Sequence, residues 1–540
     1  MSHYPFTTFH SPSPHDAFPR QNPYIGANKN DHAMYHFARF KVALLVFLFP
    51  IISTATIRLP YFISDGMVLQ QNANPVLWGW ASPGATVKVS TSWNKASYST
   101  KAGSDGKWRL SVKTPVAGQV PTTVWDMSED GSAAARMSPM LLEKTPTAGH
   151  GPYTITISDG KPVTIKDVLI GEVWLCSGQS NMEMAMKGFK DQPIIGSNEA
   201  IFNSTNEHIR IYTVPRSVQR LPQDTSKQST WKMAEPEAVS NFSATAYYFG
   251  KMLYERLKVP IGLVNISYGG SPVEAFMDAE TLKAFPEIKV PSPTDTSKLN
   301  NKNATVLYNG MLKPFLGYTI KGCIWYQGES NNDRAKQYET LFPAFVKQIR
   351  EQSGQGDFPF FYAQIAPYNY MNHAVVGATA YNSAYLRDAQ RKALSVIPNS
   401  GMAVLMDIGE EFNIHPMDKL TGAKRLAFMA LGKTYGLKGF GYESPAYDAI
   451  TISGNIVTVK FKNAPNGLSA FGKELKYFEV AGANKVFRPA KAMVNGGNII
   501  LSAPDVKEPV AVRYAFKDFV VGDLFSSEGF PVSSFRTDDW

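Results

Sequence analysis

Cysteine is nearly absent. Only Cys176 and Cys323 occur in 540 residues, so a disulfide scaffold is excluded by count. Both sit in apolar, strand-like runs, where buried free thiols are the expected state. A metal site built on Cys and His needs more ligands at closer spacing. Clustered positive charge is missing too. The net charge is +9, and the first 55 residues, with four positive and two negative side chains, account for two of it, leaving about +7. That charge is spread along the chain with no basic block. A nucleic-acid binder concentrates Lys and Arg, so nucleic acid is not an expected partner. Histidine is scarce at nine residues, and His3, His10, His15, His32 and His36 fall within the leader.

No apolar run is long enough to span a bilayer comfortably as a permanent helix. The segment Arg39-Phe40-Lys41, an apolar core over 42–52 and then Ser53-Thr54-Ala55 reads instead as a signal peptide. An uncleaved anchor is the rival reading. No Cys follows, so a lipid anchor is not supported. The expectation is a disordered leader over 1–33, a signal peptide over about 34–55 and a mature chain from near Thr56, secreted or periplasmic. Stable membrane insertion after cleavage is not expected.

Residues 56–165 read as short strands broken by turns, at Val76–Trp80, 87–90, 108–112 and 153–157. This pattern predicts a β-sandwich-like region. From about 166 the texture changes. Nearly continuous apolar runs occur at 168–170, 173–176, 261–266, 322–326, 360–364 and 402–407, as buried parallel strands require. Helical stretches at 242–257, 335–353, 380–396 and 417–435 lie between or after them. Strand alternating with helix predicts an α/β domain with a parallel sheet over 166–440. Strands return at 456–461 and 510–514, which predicts a C-terminal β-domain over 441–540.

In open α/β sheets, ligands bind at the carboxyl ends of the strands. Three such ends carry polar turns. After Cys176 comes Ser177-Gly178-Gln179-Ser180-Asn181-Met182-Glu183. A serine opening the next helix there has backbone N–H groups around it, ready to stabilise an oxyanion. Helix capping is the competing role for Ser180. After Ile266 comes Ser267-Tyr268-Gly269-Gly270-Ser271, whose glycines let backbone N–H groups approach a ligand, or simply turn the chain. After Tyr326 comes Gln327-Gly328-Glu329-Ser330-Asn331-Asn332-Asp333. Polar groups at three strand ends strengthen one another.

A serine nucleophile needs a base. Beyond the leader, His150, His208, His373 and His415 remain. His415, in Asn413-Ile414-His415-Pro416, lies past a buried strand and before a helix, and is the best candidate. Asp407, Glu410, Glu411 and Asp418 are nearby as orienting acids, but Phe412 stands three residues before His415.

At these segments the chain resembles the sialate O-acetylesterase family of the SGNH-hydrolase superfamily. The matching stretches are 171–183, 268–272, Asn309-Gly310-Met311, 325–331 and Ile414-His415-Pro416, with weaker likeness from Asp65 to Trp540. The resemblance implies an SGNH-type three-layer α/β/α domain with Ser180 as nucleophile and His415 as base. It also implies an oxyanion hole from the N–H groups of Ser180 and Gly270 and a polar side chain after Tyr326, with Gln327 and Asn331 as candidates. The superfamily's Gly-x-Asn-Asp reads Gly328-Glu329-Ser330-Asn331 here, and Phe412 takes the acid's place in Asp-x-x-His. Either Asp407 supplies the acid or a Ser–His dyad works with a backbone carbonyl.

The activity so implied is a serine esterase that frees acetate from O-acetylated sialic acid or a polysaccharide such as xylan, with no metal or organic cofactor. Tyr368 and His373 are expected to line the sugar site. Two other classes fit parts of the pattern. Glu183, Glu329 and Asp407 offer a carboxylate pair for glycoside hydrolysis, but then the turn around Ser180 has no task. In a non-catalytic carbohydrate-binding protein, Ser180 and His415 at corresponding strand ends would be coincidence.

Overall fold

Six strands pair in parallel at the centre of the computed structural model, which describes residues 57–118, 151–373 and 382–540, without the side chains of 372 and 373. The strands are β1 (Pro162–Gly178), β2 (Asn206–Thr213), β3 (Ile261–Ser267), β4 (Gly322–Tyr326), β5 (Phe360–Ala363) and β6 (Ser400–Ala403). Their order is β6-β5-β4-β1-β3-β2, with Lys232–Ala234 antiparallel at the β2 edge. The chain therefore winds from β1 to one side, returns, and winds to the other. The crevice at the carboxyl end of β1, between β3 and β4, is the switch point where such sheets bind ligands.

Side-chain alternation explains why helices cover both faces. Trp174 and Cys176 of β1, Ile324 and Tyr326 of β4 and Leu263 of β3 pack on one side, against helices α2 (Ala244–Leu257) and α5 (Lys419–Met429). Val173, Leu175, Cys323, Trp325 and Val264 point the other way, against α3 (Ala335–Ser353) and α4 (Ala384–Ala393). A strand buried on both faces must be apolar throughout, and that made these runs readable. The result is a three-layer α/β/α arrangement. Cys176 and Cys323 are buried free thiols on opposite faces.

Two expected runs, 168–170 and 173–176, belong to one strand of 17 residues. The first half of β1 pairs antiparallel with Tyr153–Ser158, and its middle pairs parallel with Val68–Gln70. Its last half pairs with β3 and β4. One backbone thus runs from the N-terminal β-region to the candidate nucleophile. Beyond α5, two four-stranded antiparallel sheets form the C-terminal β-region. One holds Ala446–Ser453, Ile456–Lys462, Asn498–Ser502 and Lys491–Asn495. The other holds Phe487–Pro489, Phe478–Ala481, Ala511–Tyr514 and Phe535–Arg536.

One strand departs from expectation. The run over 402–407 was expected to be sheet throughout, but β6 ends at Ala403. The Val404 carbonyl is taken by Arg425 Nη1 at 2.8 Å instead of continuing a ladder. Asp407 consequently sits in a loop beyond the strand. The expected signal peptide lies outside the described residues. Among the described residues, no helix is long and apolar enough to cross a membrane.

Gly178 closes β1 with φ +143°, and a Cβ there would meet the Tyr326 carbonyl oxygen at 2.1 Å. Both the dihedral and the contact demand glycine. Gly178→Ala is expected to cost at least about 2–4 kcal/mol, read as a lowered denaturation midpoint. An unchanged midpoint would contradict this packing.

Candidate active site

The turn after β1 places Ser180 at the first position of α1 (Ser180–Glu183). The N-cap of α1 is Gln179, whose side chain makes no capping bond. It points sideways, and Gln179 Oε1 accepts from the N–H groups of Gly328 at 3.3 Å and Ser330 at 3.2 Å. The Ser180 hydroxyl is half-buried and has no hydrogen-bond partner among the described residues. Capping is therefore not its role.

The turn after β3 packs against it. A Cβ on Gly269 would lie 3.2 Å from Ser180 Cβ. Glu183 Oε2 accepts from the Gly269 N–H at 2.8 Å, and Asn301 Nδ2 donates to the Gly269 carbonyl at 2.7 Å. Gly270 follows with φ +72°. The N–H groups of Ser180 and Gly270 donate to no other described residue. This side of the site is thus two open donors beside an open hydroxyl.

Asn181 links the two candidate residues, Ser180 and His415. Its Nδ2 donates to Glu329 Oε1 at 2.6 Å and to the Ile414 carbonyl at 3.1 Å. The residue after Ser180 is therefore bonded to the residue before His415. Lys419 Nζ donates to Asn181 Oδ1, and Thr245 Oγ1 to the Asn181 carbonyl. Glu329 and Lys419 are almost fully buried. Burial pushes the Glu329 carboxyl up and the Lys419 ammonium down to about 7. Burial, with the Lys419 charge beside it, also pushes His415 down to about 4. The imidazole is neutral at ordinary pH, the form a general base requires.

The remaining expected residues are placed differently. Asp407 does not meet His415; its two oxygens bind Arg425 Nη1 at 2.7 Å and Nη2 at 2.6 Å. The partner of His415 Nδ1 is Gln192 Oε1, at 2.6 Å. Gln327 cannot point into an oxyanion hole as arranged. Its Nε2 donates to Asn331 Oδ1 at 2.6 Å and the Ser271 carbonyl at 3.3 Å, while Tyr338 donates to its Oε1 at 3.0 Å. Asn331 Nδ2 donates to Glu274 Oε2 at 2.9 Å, which leaves one amide proton uncommitted among the described residues. Tyr368 is buried, edge-on to Tyr370 at 4.9 Å, and is not a displayed sugar platform. The His373 side chain lies outside the described residues.

Sequence reading missed Gln192, Asn301 and the linking role of Asn181. Asn181 sits inside a recognised motif, so its neighbourhood was a signal. Gln192 and Asn301 lie in polar loops that carry none.

Comparison with known proteins gives the family. The family model "carbohydrate esterase, sialic acid-specific acetylesterase" matches residues 170–408. Sialate O-acetylesterase of Homo sapiens is 31% identical over 420 residues, 73% of this chain and 74% of that protein. The chain belongs to the sialate O-acetylesterase family. Its Mus musculus relative is likewise 31% identical, over 439 residues covering 72% of this chain and 75% of that one. The crystal structure of a carbohydrate acetylesterase from Xanthomonas citri superposes with a TM-score of 0.76 at 32% identity, covering 90% of this chain and all of that one. This family member is a carboxylic ester hydrolase. Two of the three carboxylates considered above are committed to arginines. Glu183 is held by Arg216 through two bonds of 2.6 Å, and Asp407 by Arg425, so neither is a free acid of a glycosidase pair.

Asp407→Asn separates a brace from a triad acid. Loss of a triad acid costs about 10⁴ in kcat. Here kcat is expected to fall less than about tenfold, while stability drops by about 3 kcal/mol because Arg425 loses its ion-pair partner in a mostly buried pair. Steady-state kinetics and urea unfolding on the same preparation measure both.

Proposed function

We propose that the chain removes O-acetyl groups from sugars through an acyl-enzyme on Ser180. His415 takes the hydroxyl proton as Ser180 Oγ attacks the acetyl carbonyl. The oxyanion lies against the N–H groups of Ser180 and Gly270, with Asn331 as the third donor. Collapse of this intermediate expels the sugar alkoxide, which takes the proton from His415. Water, deprotonated by His415, then attacks the acyl-enzyme; acetate leaves as Ser180 Oγ takes the proton back from His415. No step needs a metal or organic cofactor.

The observation that carries this reading is the unpartnered Ser180 hydroxyl at the switch point, with its neighbour Asn181 bonded to the backbone beside His415. The substrate class rests on the relatives, named as sialate O-acetylesterases and a carbohydrate acetylesterase. O-acetylated sialic acid and acetylated xylan are the two substrates to compare. The apolar segment over 42–52 supports export of the chain, and the division at about 165 and 440 supports a catalytic region between two β-regions.

Ser180→Ala is expected to lower acetate release from a model acetyl ester at least about a thousandfold, with the circular dichroism spectrum unchanged. Wild-type turnover in that variant would remove Ser180 from the mechanism. The pH profile gives an independent check. A base whose conjugate acid titrates at about 4 is active while neutral, so kcat/KM is expected to hold on the acid side and fall as pH drops through about 4. A limb near the ordinary histidine value of about 6.5 would contradict the burial of His415.

A further inference from the structure

A general base must keep one ring nitrogen unprotonated and aimed at the nucleophile, so its other nitrogen needs a fixed acceptor. Phe412, at the position an acid takes in Asp-x-x-His, is 72% exposed and carries no acceptor. Asp407 has both oxygens on Arg425. The residue that does meet the ring comes from elsewhere in the chain: Gln192 Oε1 lies 2.6 Å from His415 Nδ1.

We propose that Gln192 is the positioning residue of the hydrolase, its side-chain carbonyl accepting from His415 Nδ1–H so that Nε2 is free to take the Ser180 proton. This rests on the assignment of Ser180 and His415 made above.

The local structure is built to hold that carbonyl. Residues 184–196 leave α1 as a loop pinned at both ends. Met186 N–H donates to the Phe242 carbonyl at 2.8 Å, and Lys187 N–H to the Ser240 carbonyl at 3.0 Å. Phe189 and Gln192 exchange two backbone bonds of 3.1 Å, which closes a tight turn. Gly188 enters that turn with φ +83°, and a Cβ there would meet the Gln192 carbonyl oxygen at 2.5 Å. Ile194 is buried, and the Ile195 N–H donates to the Met417 carbonyl at 3.1 Å. The turn is thereby tied to the base's own segment. Phe189 places its ring edge-on to the imidazole at 5.4 Å. On the other side, His415 N–H donates to Asn413 Oδ1 at 3.1 Å, and Met417 N–H to Glu410 Oε1 at 2.6 Å. The ring has its backbone, its face and one nitrogen fixed.

The chemistry differs from that of a carboxylate. An amide carbonyl selects the tautomer but carries no charge to stabilise the imidazolium. The charge that acts on the ring is Lys419, which itself faces Glu410, Asp418 and Glu329, the last behind Asn181. Lys419 opposes protonation of His415. Introducing a carboxylate at position 192 should reverse that bias.

The test measures kcat and KM against pH on the full chain with 4-nitrophenyl acetate, for wild type, Gln192→Ala and Gln192→Glu, with Ser180→Ala and His415→Ala as controls. In Gln192→Glu the acid limb of kcat/KM is expected to move up by at least about one pH unit, since a carboxylate within hydrogen-bond distance favours the imidazolium. In Gln192→Ala, kcat is expected to fall about 10- to 100-fold, through loss of ring orientation, with KM changed less than twofold. An unmoved limb in Gln192→Glu, or wild-type kcat in folded Gln192→Ala, overturns the proposal. Should the alanine variant fail to fold, the glutamate variant decides, because it keeps the size and the acceptor oxygen. Activity surviving in Ser180→Ala or His415→Ala would overturn the underlying reading; inactive controls with an unmoved Gln192→Glu limb would overturn Gln192 alone.

Discussion

The buried amide of Asn181 is the contact on which the site depends. A carboxamide offers two donors and an acceptor in one rigid plane, and here Glu329, the Ile414 carbonyl and Lys419 use them. The loop after β4, the loop before α5 and α5 itself therefore meet one residue away from the nucleophile. Neither charged group reaches the other directly in this arrangement; the amide lies between them. Removing one partner of a buried polar set leaves the rest unpaired, at a cost well above one ordinary hydrogen bond. The segments carrying Ser180 and His415, the proposed nucleophile and base, are thus tied together through one amide.

That network also sets the electrostatics. Lys419 is buried where its charged form is disfavoured, yet it neighbours Glu329, Glu410 and Asp418, which favour it. His415 senses Lys419 and the loss of solvent, and both act in the same direction. An imidazole kept neutral this way is a weak base. Its advantage is availability: the unprotonated imidazole persists well into acid.

Much of the fold was legible because its cause is local. The run Gly322–Tyr326 must be apolar on both faces, and the helix expected over 335–353 is found there without shift. The turns holding Ser180, Gly270 and Asn331 were legible because glycine and polar residues follow buried strands. Asp407 misled because the apolar run over 402–407 outlasts its strand, whose ladder ends where Arg425 captures the Val404 carbonyl. Tyr368 misled because its burial depends on distant partners: the Asn369 N–H bonds the Glu411 carbonyl, and the Tyr370 N–H bonds Asp518. Gln192 lies 223 residues from His415, in a loop whose composition is that of any polar turn. No periodicity encodes such a contact.

The continuity of β1 bears on how the chain is made. Synthesis runs from the N-terminus, and Val68–Gln70 and Tyr153–Ser158 are complete before β1 leaves the ribosome. The first half of β1 therefore finds its neighbours at once. Its last half, from Glu172 to Gly178, has none until Ile261–Ser267 has been made, and its second only at Gly322–Tyr326. An apolar strand with open edges is the species most exposed to wrong association. The strand that leads to Ser180 is thus a nascent-chain liability, tethered at one end and waiting at the other.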